Sequence, residues 1–429
     1  MIVIDASPAV HHKAGLGRYA EDLIGALVQR SDPKRLGVFY HNAPRARPSP
    51  TIASLPAITS PLGSYPWRLR ALLAQIANAG QDQVLAGLGP VDLFHATEHL
   101  LPRFKRAPTV FTLHDLIFRA YPRFHLPRNW IYLQLAIPLF LRRATGNLRV
   151  GLDAAGCRAA MDCRGQRRMW YEGVHARFGP VADPARRAAA RAKYKLPERY
   201  LLALSTIEPR KNLLTLFDAI ARLDNTKLGG WADVPLIVGG RQGWLTDETY
   251  AAVKARGLEG RVRFAGFIGD EDLPAVMSQA ALFCFPSLYE GFGFPPLEAM
   301  ACGAPVLSSD ASSLPEVLGD AAEYAAPTDP AAWARAIERL LSNEEARHVL
   351  AVRGPAQARR ASPGRGRRRR PKRSTRKPFQ PGRAVAVRKN RNQVPAPAHA
   401  GGNSIQEYSP ALRGRAPRPP RSPSPALLD

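Results

Sequence analysis

The stretch EGFGFPPLEAMACG, Glu290–Gly303, decides how this chain is read. It follows an apolar run, Leu282–Phe285, and a Pro286-Ser287 turn, so strand, loop and helix come in that order. Gly291 and Gly293 let the main chain approach a ligand closely. Pro295 and Pro296 suit the first turn of a helix, and Gly303 suits its end. The free N–H groups and positive dipole end of that helix then face the strand ends, where a diphosphate can bind. Glu290 falls in the loop and Glu298 in the helix. A loop carboxylate can accept hydrogen bonds from sugar hydroxyls, and a helix carboxylate can accept two from a ribose diol. A plainer reading of the same residues is a helix start with acids favoured by its dipole.

Working outward, the second half alternates strand and helix. Tyr200–Leu204, Leu236–Val238, Val262–Phe264, Leu282–Phe285 and Val306–Leu307 read as short buried strands. Leu213–Leu223, Thr246–Arg256, Asp272–Ala280, Pro296–Cys302 and Pro330–Leu341 read as the helices between and after them. The first half repeats the logic more loosely. Strand-like runs occur at Met1–Ile4, Leu36–Tyr40, Leu93–His95 and Thr109–Leu113. A loop His11–Arg18 precedes an amphipathic helix, Tyr19–Leu27. Such alternation predicts two doubly wound α/β domains, joined near Pro180–Pro184. Ligands of these sheets sit at the carboxyl ends of the strands, so a cleft between the domains is the expected site.

The expected boundaries are 1–180, 181–353, and a tail 354–429. The net charge of +26 is uneven. The tail holds 19 Lys+Arg and 2 Asp+Glu, or +17, leaving +9 for the rest. It contains Arg367-Arg368-Arg369-Arg370 and few large apolar residues, so disorder is expected there. No run approaches the ~18 apolar residues of a membrane span. The longest candidate, Trp130–Leu141, reads as a buried or membrane-surface helix. The four cysteines, Cys157, Cys163, Cys284 and Cys302, have neither zinc-like spacing nor a disulfide-scaffold count. With no basic and apolar leader at Met1, a cytoplasmic location is expected.

Glu208-Pro209-Arg210-Lys211-Asn212 lies between the strand Tyr200–Leu204 and a helix. Adjacent cations at a strand's carboxyl end suit a diphosphate leaving group, whose developing charge must be stabilised. A solvated charged turn is the bland alternative. Gly15-Leu16-Gly17-Arg18-Tyr19 opens a helix but lies too far from Ile4 for a tight dinucleotide-binding turn. His114 follows the strand Thr109–Leu113, and His95 and Glu98 lie at another strand end. Asp270-Glu271-Asp272 spells a metal-binding DxD, yet it opens a predicted helix where acids are favoured, and is read as capping.

Both motifs, in this order and spacing, resemble retaining glycosyltransferase family 4, with its GT-B fold of two Rossmann-like domains facing a cleft. The likeness is loose over Met1–Phe140 and close over Val174–Leu350. FAGFIGDEDLPAVMSQA, SSLPEV and Gly243-Trp244 look like the mannosyltransferase-like branch. The resemblance implies that Arg210 and Lys211 bind the donor diphosphate. It implies that Glu290, Gly291, Phe292 and Gly293 hold the donor sugar, and Glu298 the ribose. Gly15 and Gly17 would face acceptor and phosphates, and His114 the donor sugar, with His95 and Glu98 as weaker acceptor-side candidates. It implies no metal and no cofactor, a nucleotide-diphosphate sugar as substrate (GDP-mannose by resemblance), and a saccharide or lipid-linked acceptor in surface polysaccharide synthesis. A lipid-linked acceptor would bring peripheral membrane contact through a basic face of the first domain.

Two regions depart from the family pattern. Gly146–Met169 has no apolar run of strand length where a strand, helix and strand are due, and the last helix is unrecognisable after Arg353. Arg/Gly/Ala/Pro-rich sequence at both places has the character of translation in a shifted frame of a G+C-rich gene. A missing core strand would remove several side chains worth ~1.5–3 kcal/mol each, comparable with a domain's ~5–15 kcal/mol. A catalytically damaged glycosyltransferase is therefore one alternative. A nucleic-acid or anionic-surface binder acting through the tail is another. The tail's few aromatics, Phe379 and Tyr408, argue against base stacking, and no specific nucleic-acid partner is expected.

Overall fold

The computed structural model describes residues 1–12, 14–150, 166–170, 173–243 and 246–361. The tail beyond 361, Cys157, Cys163 and Trp244 lie outside the described residues.

Two parallel sheets carry the fold. The first comprises β1 (Ile2–Asp5), β2 (Leu36–His41), β3 (Ala57–Ser60), β4 (Leu93–Ala96), β5 (Thr109–Leu113), β6 (Gly146–Val150) and β7 (Gln166–Trp170). Their spatial order is β3-β2-β1-β4-β5-β6-β7. The second comprises β8 (Leu201–Leu204), β9 (Leu236–Gly239), β10 (Val262–Gly266), β11 (Leu282–Phe285), β12 (Val306–Ser309) and β13 (Glu323–Ala325), in the order β10-β9-β8-β11-β12-β13. Strands such as β8, β9 and β11 are buried at every residue, as parallel strands covered on both faces must be. Helices fill both faces. Leu297 and Met300 pack on one side of the second sheet, Phe217 and Trp333 on the other.

In each sheet the chain reverses its direction of travel between two central strands, β1 and β4 in one, β8 and β11 in the other. The loops leaving those paired strands diverge and open a crevice at their carboxyl ends. Leu282 lies level with Leu201 across the β8–β11 ladder. The Arg210-Lys211 turn and the Glu290 loop, some 80 residues apart in sequence, therefore emerge side by side.

Three expectations need correction. Gly146–Met169 does contribute strands: β6 pairs with β5 from Gly146↔Val110 to Arg149↔Leu113, and β7 pairs with β6. Main-chain hydrogen bonding, which any side chain can accompany, builds this edge without an apolar run. Asn147 even occupies a buried position, its amide donating to the Leu141 carbonyl at 3.1 Å. Next, the helix expected from Tyr19 begins at Ala14 and runs to Arg30, so Gly15 and Gly17 lie in its first turns, not in a loop. Last, a final helix exists: Glu344–Ala361 continues past the boundary expected at Arg353. Gly354 makes this possible, because a Cβ there would sit 3.0 Å from the Met300 carbonyl oxygen. Ala358 is buried, and Gln357 donates to the Val317 carbonyl at 2.7 Å.

Candidate active site

The loop after β8 and the loop after β11 share a buried ion cluster. Lys211 Nζ donates to Glu290 Oε1 at 2.7 Å, and Arg210 Nη1 to Glu290 Oε2 at 2.9 Å. Arg210 also donates to Glu208 Oε1 at 2.5 Å and to the Tyr289 carbonyl at 3.0 Å. Ser287 Oγ donates to Glu290 Oε1 at 2.6 Å. Burial alone would raise the Glu290 pKa, but Arg210, Lys211 and these hydrogen bonds hold it down at about 2. Burial and the neighbouring Arg210 charge lower the Lys211 pKa. Burial opposes charge on Arg210 too, yet Glu290 and Glu208 outweigh it and raise its pKa. Two cations thus face two carboxylates in one largely buried cluster. Among the described residues, Lys211 Nζ meets one carboxylate oxygen, and an ammonium offers three donors.

The Glu290 loop is itself held by two serines of the SSLPEV string. Glu290 N–H donates to Ser312 Oγ at 2.8 Å, and Ser313 Oγ donates to the Glu290 carbonyl at 3.0 Å. The two loop glycines have separate reasons. A Cβ on Gly291 would lie 2.4 Å from the His114 carbonyl oxygen, so only glycine lets the two lobes meet there. Gly293 has φ +101° at the start of the helix Phe294–Ala301, and a Cβ would meet Leu314 at 2.5 Å. Phe292 turns away: its ring is buried against Phe294 in the core, so only its main chain borders the loop.

Glu298, in that same helix, faces the other lobe. Arg18 Nη1 donates to Glu298 Oε1 at 2.9 Å, and Arg18 Nη2 to Asp270 Oδ1 at 2.6 Å. Burial raises the Glu298 pKa even against the Arg18 charge. Arg18 belongs to the first turns of the helix Ala14–Arg30, the helix that carries Gly15 and Gly17. Gly17 is buried with a Cβ position 2.8 Å from the Pro8 carbonyl oxygen, so it seats that helix on the preceding turn. Gly15 is exposed with open space around it, and nothing near it demands glycine. The Asp270-Glu271-Asp272 string does not cap its helix by a side chain. Asp272 instead accepts from Lys193 and Tyr194, both at 2.7 Å, while Asp270 turns to Arg18. The two aspartates therefore serve different partners.

His114 emerges from β5 opposite Gly291. Its Nε2 hydrogen-bonds the Thr97 carbonyl at 2.7 Å, so that nitrogen carries the proton, and its ring meets Tyr19 edge-on. Desolvation, then the nearby His99, lowers its pKa to about 4. His95 is buried, bonded to Thr112 Oγ1 at 2.8 Å, with a pKa lowered to about 4 by burial and His114. Glu98 lies 3.5 Å from His41, buried behind the strand ends. His95 and Glu98 therefore line the wall behind His114. Arg18, Glu208, Ser287 and Ser312 were not singled out as site residues from sequence. Arg18 sat in plain view beside Gly17, but only the fold sets it opposite Glu298.

Two such parallel sheets, with a carboxylate-braced pair of cations at the strand ends of the second, make a two-domain α/β architecture. Residues 186–357 match the family model of glycosyl transferases, group 1. The chain thus carries a glycosyl transferases group 1 domain within a GT-B fold, with mannosyltransferases among its relatives. It is 41% identical over 182 residues to O-antigen chain mannosyltransferase B of Escherichia coli, covering 42% of this chain and 47% of that one. It is 26% identical over 260 residues to O-antigen chain mannosyltransferase RfbU of Salmonella typhimurium, covering 60% and 67%. Among solved structures, sucrose-phosphate synthase from Thermosynechococcus elongatus superposes with a TM-score of 0.66 at 21% identity, covering 84% of this chain and 94% of that one. The lipopolysaccharide glycosyltransferase WaaG superposes at 0.64 with 16% identity, covering 84% and 95%. The chain spans about half the length of the first of these curated relatives.

Proposed function

We propose that the protein is a hexosyltransferase that moves a sugar, mannose by its relatives, from a nucleotide-diphosphate donor to a saccharide or lipid-linked acceptor in surface polysaccharide synthesis. The observation that carries this reading is the Arg210/Lys211/Glu290 cluster at the ends of β8 and β11, facing His114 across Gly291. Departure of a nucleoside diphosphate leaves negative charge on a β-phosphate oxygen. Arg210 and Lys211, already oriented by Glu208 and Glu290, stabilise that charge with little reorganisation. Glu290 keeps both cations in place and, ionised at neutral pH, accepts hydrogen bonds from donor hydroxyls. His114, neutral and with its Nε2 proton committed to Thr97, holds the opposite side of the sugar without adding positive charge beside an oxocarbenium-like centre. Glu298 takes the ribose diol once Arg18 yields it. Retention of configuration, independence from metals and GDP-mannose as donor belong to this proposal, as does work at the cytoplasmic face of a membrane. No described helix is long and apolar enough to cross a membrane.

The test is the full chain incubated with GDP-mannose or UDP-glucose and a mannose-terminated oligosaccharide, with and without a chelator. Nucleoside diphosphate release and the anomeric proton signals of the product are read together. Chelator-resistant, acceptor-dependent GDP release with an α-linked product is expected. Absence of turnover with every nucleotide sugar, from a chain that is folded by circular dichroism, would sink the reading.

A further inference from the structure

Ser312 combines an unfavourable backbone with an exposed side chain. Its φ is +50°, in the left-handed region that a residue with a Cβ enters only against steric resistance. Among the described residues, five other non-glycine residues have positive φ, and three of them are asparagines, which tolerate it. Ser312 is exposed, so side-chain packing does not hold it there. Its hydrogen bonds do. Glu290 N–H donates to Ser312 Oγ at 2.8 Å, and Ser312 Oγ donates to the Glu290 carbonyl at 3.0 Å. One hydroxyl thus brackets both main-chain polar groups of a single residue of the site.

That residue needs such a partner. Glu290 follows β11 outside any strand, so its N–H and C=O have no ladder to join. Ser313 Oγ also lies 3.0 Å from the Glu290 carbonyl and 3.2 Å from the Phe292 carbonyl, one hydrogen shared between them. The Glu290 carboxylate is tied separately, to Ser287, Lys211 and Arg210. The opposite half of the cluster is built alike. Asn212, directly after Lys211, has φ +56°, and its amide donates to the Pro286 carbonyl at 3.0 Å and the Pro327 carbonyl at 2.6 Å. On each side a left-handed residue therefore uses its side chain to pin main chain. A rotation of the Glu290 main chain would swing the carboxylate that orients both cations.

We infer that Ser312 is a positioning residue of the transfer reaction: its hydroxyl, held in a strained conformation, fixes the main chain of Glu290 and through it the carboxylate that orients Arg210 and Lys211. What the cluster does in turnover rests on the proposed function; the clamp itself does not. Strain and clamp reside in different atoms, the first in the backbone and the second in the hydroxyl. Glycine at 312 removes both. Threonine keeps the hydroxyl and, being β-branched, sits worse at positive φ. Because Ser312 is exposed, water can take over the lost hydrogen bonds in the glycine variant but cannot hold Glu290 in one place. Activity should therefore follow the hydroxyl, and stability the backbone.

The experiment compares the full chain with Ser312→Gly and Ser312→Thr. It reads kinetics with GDP-mannose and a mannose-terminated oligosaccharide, thermal unfolding, and amide hydrogen exchange of the segment 286–293. In Ser312→Gly, kcat should fall about ten-fold or more while KM for the nucleotide sugar stays within about three-fold, because the binding groups remain and their alignment is lost. Its thermal midpoint should stay within about two degrees, since relief of strain offsets the lost hydrogen bonds and the freer unfolded chain. Ser312→Thr should keep roughly a third of kcat or more and lose a few degrees. Exchange in 286–293 should quicken about ten-fold with glycine and stay unchanged with threonine. A kcat for Ser312→Gly within about two-fold of the unaltered chain would overturn the proposal. So would activities that simply track the thermal midpoints of the two variants, or unchanged exchange in Ser312→Gly. Should the unaltered chain transfer no sugar, the proposed function alone fails, and the exchange contrast between glycine and threonine still decides whether Ser312 holds Glu290.

Discussion

The two lobes share a strand order around their switch points but use it in opposite ways. At the ends of β8 and β11 the second lobe concentrates charge: Arg210 and Lys211 against Glu208 and Glu290, buried and locked by serines. At the ends of β4 and β5 the first lobe offers imidazoles that burial keeps neutral, His95 and His114. The same lobe also leaves apolar helix faces in the open, which the second lobe largely does not. The contrast teaches that one topology can supply either a fixed electrostatic field or a neutral wall. What decides is whether complementary charges leave adjacent central strands. Arg18 is the exception, a cation of the first lobe that reaches the carboxylates of the second.

Breaking the charged side should have the largest effect. Lys211→Ala removes one of two cations from Glu290 and from the departing diphosphate. A fall in kcat/KM of about 100- to 1,000-fold is expected, the scale of losing one preorganised stabiliser. Lys211→Arg should recover little, because a planar fork does not fit the seat of a buried point charge. Steady-state kinetics on folded protein settles it, and near-normal turnover in Lys211→Ala would remove the cluster from the chemistry.

Next comes the contact that brings the two sides together. Gly291→Ala places a methyl against the His114 carbonyl oxygen, so the lobes must part or the loop must shift. Transfer should drop by about ten-fold or more while the thermal midpoint changes by only a few degrees, because the strain sits at the crevice and not in either core. A fully active Gly291→Ala enzyme would mean that the closed contact is not used in turnover.

Arg18 sharpens the comparison at a smaller scale. Arg18 holds the Glu298 carboxylate that the proposed function assigns to the ribose, so a donor bound there would have to displace it. Arg18→Ala should therefore tighten nucleotide-sugar binding by about three- to ten-fold in calorimetry, because a competing internal partner is gone. Weaker binding would instead make Arg18 a ligand of the donor.

The neutral side predicts the smallest effect, in acid. His95 and His114 have folded pKa values near 4, below the ordinary 6.5, so the folded chain binds fewer protons than the unfolded one between those values. Their contribution is fully present above 6.5 and is lost as pH falls towards 4. Chemical denaturation of His95→Gln should show a pH slope lower by about one proton, or ~1.4 kcal/mol per pH unit, within that window. Glu290, with its lowered pKa, behaves differently: its contribution is present above 4.5 and is lost only as pH falls towards 2. An identical slope in His95→Gln would show that this histidine is already protonated in the fold.

Much of the second lobe was legible because its signals are local. Short buried strands, prolines at a helix start and glycine at its end all act within a few residues, and Glu290 and Glu298 are placed by that same string. Three things were not legible. β6 forms by main-chain pairing with β5, and β7 by pairing with β6, which the sequence of Gly146–Met169 does not advertise by an apolar run. The final helix is hidden by Gly354 and Pro355, residues that weaken helix propensity but permit close packing on Met300. The DxD string looked like a cap because acids favour helix starts, yet Lys193, Tyr194 and Arg18 claimed its carboxylates first. The exposed stripe of Tyr65, Leu69, Leu73 and Ile76, on the helix Ser64–Ile76, was readable as a helical period but is indistinguishable by sequence from a core-facing one.

By itself the sequence determined the parallel α/β class, the strand–loop–helix that carries Glu290 and Glu298, and the cationic turn at Arg210-Lys211, because propensity, turn chemistry and hydrophobic period act over short distances. Only the tertiary structure decided that Lys211 and Glu290 form one buried cluster, that Arg18 reaches Glu298, that Gly291 meets His114, and which apolar stripes stay outside. Each of those facts depends on which strands lie side by side and which helix face finds a partner. That is a balance of ladder pairing and burial struck between residues far apart in the chain.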